Sequence, residues 1–214
     1  MTDVWSDRAE AYRTAVEQAS GSDLDRIVEW AAAARNALDV ATGGGHVVRR
    51  LREAGIEVTT LDPAPGMRPD VVAGAEEIPF ADSCFDVVVT RIAPHHFADV
   101  RAAVAEMARV SCDQVIVEDT LYLSDDVEAA ERLRDPTHIR SYTEDEWRSL
   151  LEEAALRVEE VELHEKRHPL ETWLARTGCE GDEAERVRDL LAPHIEEGHY
   201  VDTKVLLRAR KEGA

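Results

Sequence analysis

Apolar positions at the start of the chain, Trp5, Ala9, Tyr12, Val16 and Ala19, recur at three- and four-residue steps and predict a helix. Gly21-Ser22-Asp23 breaks it and offers an N-cap. Leu24, Ile27, Val28 and Ala31 mark a second amphipathic helix that runs into the alanines 31–34. Beyond residue 36 the pattern changes. Short apolar runs alternate with helical stretches, the signature of a mostly parallel α/β sheet. Strands are predicted at 37–40, 56–61, 71–73, 85–90 and 114–118. The run 85–90 is the clearest, being β-branched and continuous like a strand buried on both faces. Helices are predicted at 47–54, closed by Gly55 where a helix C′ glycine belongs, and at 98–110. Further helices fall near 127–133, 143–154 and 182–195, and further strands near 158–163 and 200–207. No linker, repeat or low-complexity tract divides the chain, so it reads as one domain over 1–214.

Charge narrows what such a fold can serve. The 214 residues carry 45 acidic and 25 basic side chains, a formal net charge of −20. A chain this acidic is a poor match to a nucleic-acid backbone or an anionic membrane surface. No apolar run approaches the ~18 residues of a membrane span, so no membrane insertion is expected. Residues 1–8 lack the basic and apolar regions of a secretory signal. Cys84, Cys112 and Cys179 are odd in number without a C-x-x-C spacing, and read as reduced thiols of a cytoplasmic protein. Among the basic residues, Lys166, Lys204 and Lys211 are the only lysines. An acid-rich, arginine-rich, lysine-poor chain reads as halophilic, because at ~1 M salt the Debye length is ~3 Å and like charges repel weakly. The plainer alternative is an acidic protein from a GC-rich genome.

The chemistry concentrates in Asp39-Val40-Ala41-Thr42-Gly43-Gly44-Gly45, a strand end turning into a helix. Glycines there let the backbone approach a ligand. A dinucleotide fingerprint would require a third glycine where Val48 stands, and a phosphate loop would require Gly-Lys-Ser/Thr. The run instead fits D-x-A-x-G-x-G. Asp62 ends the next strand, where an acid accepts hydrogen bonds from ribose hydroxyls.

These residues resemble motif I and the ribose-binding acid of the class I S-adenosylmethionine-dependent methyltransferases. Ala75-Glu76-Glu77-Ile78-Pro79-Phe80 with the run 82–89 is similar to the block of the methyltransferase type 11 group, which includes ubiquinone and menaquinone C-methyltransferases. Residues 93–97 and 106–110 continue the match. The resemblance implies a Rossmann-like fold with a seven-stranded, mostly parallel sheet of order 3-2-1-4-5-7-6, the last strand antiparallel. It implies N-terminal helices over the cofactor (1–36), a cofactor-binding core (37–120), a helical acceptor-side insertion (121–157) and the C-terminal part of the sheet (158–214). The implied cofactor is S-adenosyl-L-methionine and the implied partner a small-molecule methyl acceptor. By the same resemblance Asp39 and the backbone of Ala41, Thr42, Gly43, Gly44 and Gly45 serve the methionine end. Asp62 and Pro63 hold the ribose, Ala75 and Glu76 flank the adenine, and Arg91 borders the sulfonium. A methyltransferase-like protein that binds cofactor or partner without turnover is the alternative.

Two departures stand out. Gly74 replaces an acid that usually precedes the Ala-Glu pair, so Glu76, water or backbone must hold the adenine. Residues 63–70, with Pro63, Pro65, Gly66 and Pro69, are too short and broken for the usual helix. The adenine side is therefore open or covered from elsewhere.

Methyl transfer from a sulfonium needs placement above all, and a base only if the acceptor must lose a proton. His95 and His96, after the fourth strand, are candidates for base or acceptor-orienting donor, or for a helix cap or a bond to a backbone carbonyl. Tyr12 is a candidate contact to donor or acceptor, or a core tyrosine. His138 and Arg140, with Arg134, lie in the insertion and are candidate acceptor contacts, or a solvated loop. Glu118 and Asp119 read as surface acids or as partners for an acceptor amine. No metal is expected, since the strand-like run 158–163 and Pro169 argue against a helical His164/His168 pair.

Overall fold

A computed structural model describes residues 4–14 and 20–211. Helix α1 (Val4–Arg13) and helix α2 (Ser22–Trp30) form where the periodicity places them, while Val16 and Ala19 lie outside the described residues. Asp23 does not cap α2; its carboxylate turns inward. The alanines 31–34 are a turn rather than helix, with Ala34 N–H donating to Ala31 O at 2.8 Å. Their helix propensity yields to the need to enter β1 (Asn36–Val40).

The strands that follow are β2 (Glu57–Asp62), β3 (Val71–Val72), β4 (Phe85–Arg91), β5 (Ser111–Thr120), β6 (Leu156–Pro169), the two-residue β7 (Ile195–Glu196) and β8 (His199–Lys211). The sheet runs β3-β2-β1-β4-β5-β8-β6, with β7 on the side of β8. Pairing is parallel from β3 through β5, and β8 is antiparallel to both β5 and β6. Leaving β7 aside, this is the expected 3-2-1-4-5-7-6 order, with the closing strand wedged between its neighbours. Between the strands lie α3 (His46–Glu53), α4 (Val100–Val110), α5 (Asp125–Arg134), α6 (Glu144–Glu153), α7 (Leu170–Ala175) and α8 (Gly181–Leu191). Helix α7 and strand β7 were not expected from the sequence pattern.

Alternation along β4 divides the core. Val88 faces Met107, Val104 and Trp147 on the α4/α6 side, while Val87 and Val89 join Leu24, Trp30 and Leu51 on the α2/α3 side. A smaller cluster joins α5, α7 and α8 around Trp173 and Tyr200. Asp99 accepts Ala102 N–H and starts α4, and Thr143 with Glu146 forms a capping box on α6. Among the described residues no helix is long and apolar enough to cross a membrane.

The segment 63–70 holds only a single 3-10 turn, Pro65–Met67. Helix α1 covers it. Ala9 packs on Ala64 and Met67, with Trp5 and Tyr12 beside them. Gly66 donates its N–H to Ser6 Oγ at 2.8 Å, and a Cβ on Gly66 would come within 2.5 Å of Ser6 Cα. Only glycine admits that approach of helix to turn.

Candidate active site

The turn after β1 is built on left-handed backbone, with φ of 56° at Ala41, 50° at Gly43 and 73° at Gly45. Ala41 is not glycine, so the turn is strained there and the neighbours must hold it. Thr42 Oγ1 donates to Asp39 Oδ2 at 2.6 Å beneath the turn. Burial pushes the Asp39 carboxyl up to about 7, against the Thr42 bond and with the help of the nearby Asp62 charge. Asp62 accepts Gly43 N–H at 3.0 Å and Ala64 N–H at 2.9 Å, which fixes both its oxygens. At the start of α3, His46 Nε2 lies 3.0 Å from Tyr12 O, and burial keeps this imidazole below its ordinary pKa. A Cβ on Gly44 would sit 2.5 Å from that same Tyr12 oxygen. The end of α1 therefore rests directly on the glycine turn.

A cavity of about 320 Å³ opens over the C-terminal ends of the strands, within the ~300–1,000 Å³ usual for small-ligand sites. Ala41, Thr42, Gly43, Asp62 and Pro63 line one end, Gly74, Ala75 and Glu76 the adjoining wall, and Trp5 and Tyr12 the α1 side. Asp39, Gly44 and Gly45 do not line it: Asp39 lies beneath the turn and Gly44 faces α1. Glu76 Oε1 accepts Ala98 N–H at 3.0 Å, tying this wall to the approach to α4. Arg91 lines the cavity, but its guanidinium is anchored in a buried network. It lies 2.5 Å from Asp23 Oδ2 and 2.7 Å from Glu118 Oε2, and Lys166 Nζ reaches Asp23 at 3.1 Å. Against the upward push of burial, Arg91 and Lys166 hold the Asp23 carboxyl well below the usual range.

Glu118 and Asp119 are not surface acids. The fifth strand continues to Thr120, and both side chains have 0% exposure. Asp119 points to the opposite face from Glu118 and meets His95. His95 and His96 sit on the 3-10 turn Pro94–His96 after β4, and both line the cavity. His95 Nδ1 is 2.5 Å from Asp119 Oδ1. Burial, reinforced by His138, Lys204 and Arg134, pushes the His95 pKa well below 6.5. Burial also raises the Asp119 carboxyl to about 7. A neutral imidazole that gives its Nδ1 proton to a carboxylate leaves Nε2 as a proton acceptor. His96 Nδ1 is bound 2.9 Å from Thr137 O, and its ring meets Trp5 edge-on at 4.6 Å.

The structure does not bring His138 or Arg140 into the cavity. His138 Nε2 is 3.1 Å from Glu128 Oε1, and Arg140 lies outside, paired with Glu146 over Tyr142. Their backbone does reach the site: Ile139 and Arg140 N–H groups both donate to His95 O, at 2.9 and 3.1 Å. Each of the three clustered histidines has its own partner. Among the described residues no group of His, Cys, Asp and Glu is assembled for a metal ion.

At the far end of the cavity the sequence pointed only to Arg134, beside His138 and Arg140; the other residues there were not singled out for the acceptor. That end is shaped by Arg134 of α5, Trp173 of α7, His168 of β6, and Asp202 and Lys204 of β8. Lys204 Nζ donates to Asp202 Oδ2 at 2.6 Å and to Thr120 Oγ1 at 2.7 Å across the β5–β8 pairing. His168 Nε2 lies 3.2 Å from the same Asp202 oxygen. One signal was present in the sequence: Asp202 and Lys204 interrupt a strand that otherwise runs into Val205-Leu206-Leu207.

Residues 38–117 match the family model of a methyltransferase domain. The uncharacterised methyltransferase YcgJ of Bacillus subtilis (strain 168) is 29% identical over 209 residues, covering 86% of this chain and 82% of that protein. The crystal structure of a putative methyltransferase from Bacillus halodurans C-125 is similar with a TM-score of 0.77 at 28% identity, covering 89% of this chain and 99% of that one. Over 84 residues, 35% of each chain, the demethylmenaquinone methyltransferase of Renibacterium salmoninarum is 38% identical. The glycine turn and the acid ending β2 lie inside the matched residues 38–117, the fold is shared along most of the chain, and the chain belongs to the class I S-adenosylmethionine-dependent methyltransferases.

Proposed function

We propose that this enzyme methylates a small-molecule acceptor whose attacking atom gives up its proton to His95. The observation that carries the reading is the His95–Asp119 pair, 2.5 Å apart, on the same cavity as the glycine turn and Asp62. The donor set fits the family's cofactor. Asp62 is a carboxylate with both oxygens pre-placed by backbone N–H groups, as a ribose diol requires, and the turn bares backbone beside it. In this reading the backbone of Ala41, Thr42 and Gly43 serves the methionine end while Asp39, Gly44 and Gly45 hold the turn from behind, Asp62 and Pro63 serve the ribose, and Ala75 and Glu76 the adenine. Arg91 contributes backbone beside the sulfonium, its side chain being committed to Asp23 and Glu118.

Bound there, S-adenosylmethionine supplies a methyl group already activated on sulfur. The chain's own residues then have three tasks. Trp5 and Tyr12 close the cavity from the α1 side and exclude water. His96, fixed through Nδ1, orients the acceptor together with Tyr12, whose buried hydroxyl has a raised pKa and remains a donor. His95 Nε2 takes the proton while Asp119 stabilises the imidazolium. His138 and Arg140 act through position, since the loop they occupy clamps the His95 carbonyl. Residues 1–36 would cover the cofactor, 37–120 bind it, 121–157 shape the acceptor side and 158–214 complete the sheet. The free thiols of Cys84, Cys112 and Cys179 support a cytoplasmic setting, and the −20 charge supports a surface suited to molar salt.

Calorimetry with S-adenosylhomocysteine tests the reading. Asp62→Ala should weaken binding roughly 10- to 100-fold, the worth of charge-assisted hydrogen bonds at about 1.5–3 kcal/mol. On an accepted substrate, His95→Gln should lower kcat by about 10²–10⁴, the usual share of a general base. Absence of binding at both high and low salt would overturn the proposal.

A further inference from the structure

We infer that the acceptor is a small carboxylic acid whose carboxylate is taken by Arg134 at the end of the cavity away from the glycine turn. This rests on the proposed methyl transfer and adds the substrate class. Arg134 ends α5, and its guanidinium lies over the Trp173 ring, 4.0 Å from the centroid. Both residues line the cavity. The side chain is only 11% exposed, yet its nearest acids are Glu131 at 3.7 Å and Asp135 at 3.8 Å, beyond hydrogen-bond reach.

Those acids also serve other donors, although Glu131 turns its second oxygen, Oε2, toward Arg134. Asp135 receives Arg8 Nη1 on both oxygens at 3.1 Å, together with the N–H and hydroxyl of Thr137. Glu131 accepts the Tyr200 hydroxyl at 3.4 Å. Arg134 Nε is buried without a partner. A guanidinium has five N–H donors, and even one of them left buried and unpaired, as Nε is here, is costly. With its face held on Trp173, its edge is the remaining surface, and that edge is a planar fork matching a carboxylate in two parallel bonds.

The surroundings favour an anion. Arg176 and Lys204 line the same end of the cavity. The acids opposing them are Glu131 and Asp202, and Asp202 is held by Lys204 and His168. In a chain of net charge −20 this local surplus of cations runs against the overall charge. Burial lowers the Arg176 pKa, a cost that an anion alongside would relieve. A lipophilic acceptor would have to bury these charges uncompensated. The anchored acid would present its hydroxyl or amine to His95. The lone pair of that atom forms the new bond to the methyl carbon, and the electrons of the breaking carbon–sulfur bond stay on sulfur. The proton released ends on His95 Nε2.

The test uses the enzyme saturated with S-adenosylhomocysteine and three probe pairs: 4-hydroxybenzoate, 4-hydroxyphenylacetate and 3-hydroxybutyrate, each beside its primary amide. At least one acid should bind tighter than its amide by about tenfold or more, which is about 1.4 kcal/mol. Arg134→Gln should bring acid and amide to within about twofold while leaving S-adenosylhomocysteine affinity in place. Arg134→Lys, which keeps the charge but not the fork, should retain part of the preference. It carries the test if the glutamine variant fails to bind S-adenosylhomocysteine. No acid preferred over its amide, a preference undiminished in the glutamine variant, or, where that variant does not bind S-adenosylhomocysteine, a preference undiminished in the lysine variant, would overturn the inference. Failure of the wild-type protein to bind S-adenosylhomocysteine would instead strike the methyl-transfer reading.

Discussion

Replacing Asp119 by Asn should make the protein more stable at alkaline pH and less active, and both directions follow from burial. Asp119 has no exposed surface, and its carboxyl is raised from the ordinary 3.8 to about 7. The folded chain holds that proton up to about pH 7, whereas the unfolded chain releases it near pH 4. Stability from this group is therefore lost as pH rises between the two values. A shift of about three units amounts to about 4 kcal/mol above pH 7. Asn removes this penalty and forfeits the bond to His95, worth about 1.5–3 kcal/mol. The balance at pH 8 favours Asp119→Asn by about 1–2.5 kcal/mol, or roughly 2–10 °C in Tm for a chain of this size. Toward pH 4 the advantage should vanish. Catalysis moves the other way, because the imidazolium loses its anion and kcat falls about 10- to 150-fold.

The same pair sets the wild-type pH dependence. Below about pH 7 a protonated Asp119 donates to His95 Nδ1, so the remaining ring proton sits on Nε2 and the base is blocked. Above it, Nδ1 carries the proton and Nε2 is free. Scanning fluorimetry from pH 4 to 8, kcat against pH, and ¹⁵N NMR of the His95 tautomer check each part. A variant several degrees less stable than wild type at pH 8, with a difference that does not change with pH, would refute the reasoning. So would a His95 ring that is charged at pH 7.

Gly44→Ala places a Cβ against the Tyr12 carbonyl, so α1 must lift from the turn. A stability loss of about 1–3 kcal/mol is expected, with weaker S-adenosylhomocysteine binding seen by calorimetry. Asp23→Ala takes from the buried Arg91 one of its two carboxylate partners and should cost about 3–5 kcal/mol in urea denaturation. An unchanged midpoint would show that the network contributes little. Raising KCl from about 0.1 to about 1 M should raise Tm, because screening relieves the repulsion of the acidic surface. A flat response would remove the molar-salt reading.

The elements with their own local chemistry were legible in the sequence. The β-branched run of β4, the glycine turn after β1 and Gly55 closing α3 each carry a backbone requirement that one stretch of residues reveals. The strand order came with the resemblance, because pairing β8 between β5 and β6 depends on contacts far apart in the chain. What stayed hidden was set by burial. Glu118 and Asp119 look like any two acids in a chain with 45 of them, until a strand that runs two residues past its expected end carries them inside. Asp23 offered itself as a cap, but its partner Arg91 lies 68 positions away. The acceptor end was the least visible part. Arg134, Trp173, His168 and Lys204 come from α5, α7, β6 and β8, and no spacing rule links them. Cofactor recognition sits on one strand-turn-helix and so leaves a local signature. Acceptor recognition is assembled from side chains at the ends of several elements, each replaceable without disturbing the sheet. A pattern of that kind cannot be read from one sequence, and the charges at this end became informative only when their partners were known.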